Sequence, residues 1–347
     1  MSSLPALTKK GEATSPLPIV GTEHSMRLAV LADIHGNLPA LEAVLADLKR
    51  QCVDGMIVAG DFCDRPQPLE AVRAVQALGA CAIRGNRENY LLAYHNLDAP
   101  DHWRTATQWV GLRWMYERLD REALDYMASL PEQCVYEAGG AAPIRVMHAS
   151  PGSMTENILP THDPDTIKLY EQAGLLELLR DNQATIDKVL AQLDEPVLIC
   201  GHSHIPWRLE RDGRLALNPG SVGIPTNGDR RAQYALLTWE GRQWTAEHRA
   251  LDYDLDRIRA AYLESGILEI EGAFARAQLC SIETGHNVPG RLVTHCRRYA
   301  TEAGIPESEA IPDAIWDQAV AAFDWEAAAQ GEYGQKEEPA TGEEGMA

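Results

Sequence analysis

The pattern of apolar and polar positions changes abruptly at Met26. RLAVLADIHGN (27–37) is a short apolar run closed by polar residues and glycine, which predicts a buried strand delivering its C-terminal end to a site. LPALEAVLADLKR (38–50) repeats its apolar positions every three to four residues, as a helix does. Pro39 falls in a first turn that tolerates it, and Lys49 and Arg50 fall at the end where the helix dipole favours cations. The same unit recurs as GMIVAGD (55–61), PLEAVRAVQALG (68–79) and ACAIRGN (80–86). This alternation predicts an α/β architecture whose strands feed residues into one rim.

Residues 88–130 carry helical periodicity, with Tyr90, Trp103, Trp109 and Trp114 and no strand pattern, and are expected to form a helical cap over that rim. Strands are expected near 133–137 and 143–148, helices at 164–174 and 177–193, and then a strand in PVLICGHSH (196–204). From 205 to 249 the chain reads as a meander of short strands, with RDGR (211–214) and EGR (240–242) as turns. From Leu251 helix formers dominate, so a helical extension is expected over 251–330 and a disordered acidic tail over 331–347. Residues 1–25 mix Ser, Pro, Thr and Lys without an apolar core and read as a mobile leader rather than a secretion signal. The organisation expected is therefore a leader, one α/β domain at 26–250 with the cap inside it, the extension and the tail.

Composition narrows the function classes. Asp and Glu number 51 against 31 Lys and Arg, a formal charge of -20. That field repels polyanions and argues against duplex nucleic acid or an anionic membrane surface as partner. Residues 251–347 hold 19 acidic and 7 basic side chains, leaving a net of -8 for the first 250. More than half of the charge thus belongs to the extension and tail, which leaves the first 250 residues only mildly acidic. No apolar run approaches the roughly 20 residues that a membrane helix needs. Seven cysteines without short paired spacings fit reduced thiols in a cytoplasm.

The chemistry concentrates in five motifs, each at a predicted strand end: Asp33-Ile34-His35, Gly60-Asp61, Gly85-Asn86, His148, and Gly201-His202-Ser203-His204. On a strand or tight turn, residues i and i+2 point to one side, so Asp33 with His35, and His202 with His204, can aim pairs of ligands inward. Oxygen and imidazole donors without thiolate suit Mn, Fe, Ni, Co or Zn. Seven donors exceed what one ion needs, and two divalent transition-metal ions sharing a carboxylate would use them all.

In order and spacing, these motifs resemble the calcineurin-like metallophosphoesterase superfamily, with its D-x-H, G-D, G-N-x-[D/E], H and G-H-x-H pattern. HASPGS (148–153), NPGSVG (218–223) and LDYDLDRIRAAYLESG (251–266) are similar to the small bacterial and archaeal phosphodiesterase branch, and the resemblance fades near residue 285. It implies a four-layer α/β/β/α sandwich with two metals. Asp33, His35 and His204 would hold the first ion, Asn86, His148 and His202 the second, and Asp61 would bridge them. A metal-bridging hydroxide would attack phosphorus in small phosphodiesters or nucleotides.

One departure matters. Many relatives place a histidine after the G-N motif as proton donor, whereas this chain has Arg87, which does not release a proton near neutral pH. GDFCDR (60–65) also resembles the GDxxDR of Ser/Thr protein phosphatases, implying that Asp64 pairs with the residue at 87 and that Arg65 grips phosphate. Without a general acid, aryl esters, diesters and anhydrides are the expected substrates. A Ser/Thr protein phosphatase, a dinucleoside polyphosphate hydrolase and a non-catalytic scaffold of the same fold are the alternatives.

Simpler roles suffice for several conspicuous residues. Asn37 reads as a helix N-cap, a role compatible with orienting substrate. NPGSVG reads as a chain reversal, Cys63 and Cys200 as small buried apolar residues, and His95, His102 and His162 as surface histidines. The tryptophans and Tyr90 read as a packing face, and the apolar positions of the extension as packing or a homo-oligomer contact.

Overall fold

In a computed structural model, which describes residues 25–137, 139–159, 183–306 and 309–332, the three N-terminal apolar runs form β1 (Met26–Leu31), β2 (Gly55–Ala59) and β3 (Cys81–Ile83). Parallel pairing of β1 with β2 and of β2 with β3 demands crossovers, and α1 (Leu38–Gln51) and α2 (Pro68–Leu78) supply them. Asn37 caps α1 by accepting the Ala40 N–H at 3.2 Å, and Gly79 ends α2 at φ 59°.

The cap consists of α3 (Asn86–His95), α4 (His102–Thr105), α5 (Val110–Tyr116) and α6 (Arg121–Ser129). Trp103 and Trp109 stack at 4.1 Å with Tyr90 edge-on to both, and Trp114 is buried beneath Arg118, so these aromatics pack the cap. The chain continues through β4 (Gln133–Tyr136), β5 (Ile144–Met147), β6 (Asn157–Leu159), β7 (Gln183–Thr185), α7 (Ile186–Leu190), β8 (Val197–Ile199), β9 (Trp207–Arg211), β10 (Arg214–Asn218), β11 (Ala232–Trp239) and β12 (Trp244–Leu251).

Two sheets result, ordered β12-β11-β1-β2-β3 and β4-β5-β8-β10-β9. Alternation along each strand divides its side chains between two faces. Leu28, Val30 and Ile57 meet Val146, Ile199 and Leu217 of the opposite sheet. Ala29, Leu31 and Val58 turn outward against Leu41, Val44 and Val72 of α1 and α2, and α7 covers the outer face of the second sheet through Ile186 and Val189. This is the expected α/β/β/α sandwich.

Two expectations are corrected and three fall outside the described residues. The helix expected over 177–193 is, where described, the strand β7 followed by the short α7, and β7 pairs in parallel with β6. Strands of three residues are too short to show a period. The meander over 205–249 is divided between sheets: β9 and β10 extend the second, while β11 and β12 join the first. β11 is buried on both faces, Tyr234 and Leu236 in the cluster with α1 and Ala235 and Leu237 in the core between the sheets, a non-local requirement. The helix expected at 164–174, the leader at 1–24 and the tail from 333 lie outside the described residues.

The extension comprises α8 (Leu255–Glu264), α9 (Ile267–Glu271), α10 (Ala273–Thr284), α11 (Val288–Glu302), α12 (Asp313–Ala321) and α13 (Trp325–Ala329). Ile258, Tyr262, Ile267, Ala275 and Ile282 of α8 to α10 belong to the same apolar cluster as α1 and the cap, while α11 to α13 close a cluster of their own around Leu292 and Trp316. Among the described residues no helix is long and apolar enough to cross a membrane. Ile258→Ala is expected to cost about 2–5 kcal/mol in denaturant unfolding, because it empties a fully buried site between α8 and the core. A cost below about 0.5 kcal/mol, the range of surface substitutions, would show that the extension is not part of that core.

Candidate metal centre

The strand ends carry the chemistry because the backbone turns sharply there. Asp33, His35, Asp61, His202 and His204 all have positive φ, between 46° and 66°. Such a conformation costs on the order of 1–3 kcal/mol per non-glycine residue and persists only where its surroundings enforce it. Here the loops after β1 and β2 hold each other, with backbone N–H groups of Asp33, His35 and Gly36 donating to the carbonyls of Gly60, Asp61 and Phe62. Gly85 lets the third loop close in, since a Cβ there would lie 2.1 Å from Asp61 Oδ1.

The structure brings all seven expected metal ligands to one end of the sandwich. Asp33, His35 and His204 offer donor atoms within 4.8 Å of one another, as do Asp61, His148 and His202. Asn86 Oδ1 lies 3.1 Å from His148 Nε2 and so joins the second group. Asp61 Oδ2 stands 3.7 Å from His35 Nε2 and 3.4 Å from His148 Nε2, facing both groups.

Three histidines commit Nδ1 elsewhere and aim Nε2 inward. The Nδ1–H groups donate from His35 to Asp64 Oδ2 at 2.9 Å, from His148 to the Ala59 carbonyl at 2.8 Å and from His204 to the Ile224 carbonyl at 2.7 Å. Such anchoring fixes tautomer and ring direction, as it does for metal-binding imidazoles. His202 is anchored the other way, through Nε2 to the Thr155 carbonyl at 2.8 Å, which presents Nδ1.

The donor set calls for a cation. His35 Nε2 and His204 Nε2 face each other at 3.0 Å, two acceptors with no hydrogen between them once Nδ1 carries the proton. Asp33 Oδ1 is buried without a hydrogen bond, 3.3 Å from His204 Nε2. Five buried carboxylates, those of Asp33, Asp61, Asp64, Glu88 and Glu271, surround the site, and the guanidinium groups of Arg65 and Arg87 balance two of them. Without metal, protons answer this field. Burial pulls the His35 imidazole down, but Asp33, Asp64 and Asp61 push it up to about 9. His148 rises to about 10 against its burial, chiefly through Asp61, while His202 falls to about 4 through burial and the His148 charge. The residues fit divalent ions bound by nitrogen and oxygen.

Asp64 and Arg87 meet as the residue match implied, with Arg87 Nε 2.9 Å from Asp64 Oδ2 and Nη2 3.0 Å from Oδ1. Arg65 is not where the protein-phosphatase match placed it. It is buried, with Nε 2.9 Å from Glu271 Oε2, Nη1 donating to Gln278 Oε1 at 2.7 Å and lying 3.2 Å from Asp64, so phosphate cannot reach it. Gln278 Nε2 also donates to Asp64 Oδ2 at 3.3 Å, which ties the extension to the carboxylate that anchors His35. His95 bonds Tyr116 and His102 leans on Trp109, and His162 lies outside the described residues.

Sequence reasoning missed the bracing. Glu88 is buried, and its carboxylate accepts the backbone N–H groups of Asp61, Phe62, Cys63 and Gly85 at 2.7–3.0 Å, binding the second and third loops together. Burial and the Asp61 charge push its carboxyl up to about 7. Its signal was the acidic position closing the G-N-x-[D/E] pattern. Within NPGSVG, Asn218 donates to the Gly201 carbonyl at 2.6 Å and Ser221 to the Asp33 carbonyl at 2.7 Å, so the turn clamps the first and last ligand loops. Gln278 and Glu271 carried no signal, because their roles depend on contacts more than 200 positions away.

This sandwich and this donor set define a metal-dependent phosphoesterase. The sequence profile of the calcineurin-like phosphoesterase superfamily domain matches residues 26–242, and the chain belongs to that superfamily. An uncharacterized protein of Methanocaldococcus jannaschii, MJ0912, is 25% identical over 248 residues, covering 66% of this chain and 89% of its own. Among solved structures, a metallophosphoesterase from Sphaerobacter thermophilus is 25% identical with a TM-score of 0.56, covering 76% of this chain and 100% of that one. The hypothetical protein PH1004 from Pyrococcus horikoshii shares the fold at 20% identity and a TM-score of 0.54, over 75% of this chain and 98% of its own.

Glu88→Gln leaves an amide N–H₂ facing backbone donors. The variant is expected to stay folded by circular dichroism but to lose at least half of the metal retained by the wild type, measured by inductively coupled plasma mass spectrometry. Unchanged metal content would show that this brace does not hold the ligand loops.

Proposed function

We propose that the chain is a dinuclear phosphoesterase acting on small phosphodiesters or nucleotides. Asp33, His35 and His204 hold one divalent transition-metal ion, Asn86, His148 and His202 hold the other, and Asp61 is shared between them. The observation that carries this reading is the single carboxylate oxygen of Asp61 facing an imidazole of each group. Two such ions, whether Mn, Fe, Ni, Co or Zn, supply Lewis-acid charge for the phosphoryl oxygens and a hydroxide nucleophile at neutral pH.

The protein's own residues set what can leave. Asp64 anchors His35 and grips Arg87, whose guanidinium the neighbouring carboxylates hold above its already high range despite its burial. Arg87 therefore contributes fixed positive charge and no proton. A leaving group must depart largely unassisted, which favours aryl esters, diesters and anhydrides over alkyl monoesters. Burial of Arg65 removes the residue-level support for a protein phosphatase. Cytoplasmic location and a homo-oligomer contact through the extension belong to the same proposal, supported by free cysteines and by exposed Leu263 and Ile270.

An aryl phosphodiester, an aryl monoester, a phosphopeptide and a dinucleoside polyphosphate, each assayed with Mn, Ni, Zn and Mg, test the reading, with the aryl diester expected to give the highest kcat/KM. Arg87→His is expected to raise kcat/KM for an alkyl ester by roughly tenfold or more relative to the aryl ester, the low end of what a positioned acid contributes. Preference for the phosphopeptide, or no change in that ratio, would contradict it.

A further inference from the structure

The thiols of Cys81 and Cys134, 53 positions apart in sequence, lie 3.3 Å from each other. Cys81 opens β3 at the edge of the first sheet and Cys134 lies in β4 at the edge of the second, so the pair spans the open side of the sandwich. Both are half-buried and within reach of a small oxidant, whereas Cys63, Cys200 and Cys296 are buried. The two sulfurs are within S–H···S hydrogen-bond reach of each other. That contact lowers the Cys81 thiol to about 7 against its partial burial and pushes Cys134 up. Two half-buried sulfurs in contact, one of them shifted toward the thiolate, make the arrangement of an attacking and a resolving cysteine.

We propose that Cys81 and Cys134 form an oxidant-sensitive dithiol that closes to an intramolecular disulfide across the edge of the two sheets. The co-reactant is a hydroperoxide. The Cys81 thiolate attacks the terminal peroxide oxygen and the O–O bond breaks. Cys81 becomes a sulfenic acid, and the departing oxygen takes up a proton and leaves as water or an alcohol. Cys134 then attacks the Cys81 sulfur, forming the S–S bond and expelling hydroxide, which leaves as water with the Cys134 proton. The two thiols lose two electrons and two protons, and the peroxide takes up both. The bond closes a loop containing the whole cap together with Asn86 and Arg87, and ties β3, which delivers those residues, to the second sheet.

The test treats the reduced full chain with a small excess of hydrogen peroxide, alkylates it in denaturant and maps it by mass spectrometry without reduction. The expected product is a monomer lighter by two hydrogens that has lost two of its seven thiols. Its peptide map contains a Cys81–Cys134 link, and its Tm is raised by several degrees because the unfolded chain is cross-linked. A dithiol reductant reverses all of this. Cys134→Ser is expected to leave Cys81 as a dimedone-reactive sulfenic acid. Survival of all seven thiols, links through the exposed Cys52, or sulfinic acid at Cys81 with Cys134 still alkylated would each overturn the proposal. The wild-type map decides it even if the serine variant does not fold.

Discussion

Asp61 carries one carboxylate that two histidine groups must share. Its Oδ1 is fixed by the Arg87 N–H at 2.8 Å, which leaves Oδ2 to face His35 on one side and His148 on the other. Burying this charge beside Asp33 and Asp64 is affordable only if positive charge sits among them. The imidazoles supply it as protons when no metal is present, and divalent ions at the proposed centre would supply more of it at the same atoms. The rim is therefore arranged around a cation requirement, and the loops, caps and turns exist to keep the acceptors converged.

Convergence has a conformational cost. Five candidate ligands in the left-handed region would relax if the loops were free, so the strain must be held by bonds outside the candidate set. Glu88 ties the second loop to the third, Ser221 and Asn218 tie the first to the last, and the Asp64–Arg87 pair fixes His35 from behind. Gln278 brings the helical extension into that last element. What looked in the sequence like an appendage to a catalytic domain is thus in hydrogen-bond contact with the group that orients a ligand.

How much of this was legible depended on whether the cause was local. The β1–α1–β2–α2–β3 succession was readable because period and caps are written within about ten residues of each other, and Asn37 shows it. The convergence of the seven candidate ligands was readable because each sits where an apolar run ends. The sheet assignment of β11 and β12 was not, since strand pattern does not name a partner. The role of Arg65 was not either: GDFCDR is the same string whether Glu271 and Gln278 stand behind it or substrate stands in front. The Cys81–Cys134 approach escaped for the same reason, because two cysteines 53 positions apart have no sequence signature of contact.

The acidic surface and the cation-seeking centre are different scales of one charge distribution. A net of -20 repels extended polyanions, while the rim draws in small metal ions and, once they are bound, a small phosphate ester. The central claim is that two ions occupy this rim with Asp61 between them. Anomalous scattering from crystals grown with manganese tests it most directly. The account predicts two peaks roughly 3.5–4 Å apart, one against Asp33, His35 and His204 and the other against Asn86, His148 and His202. A single peak, or a pair that Asp61 does not contact, would contradict it.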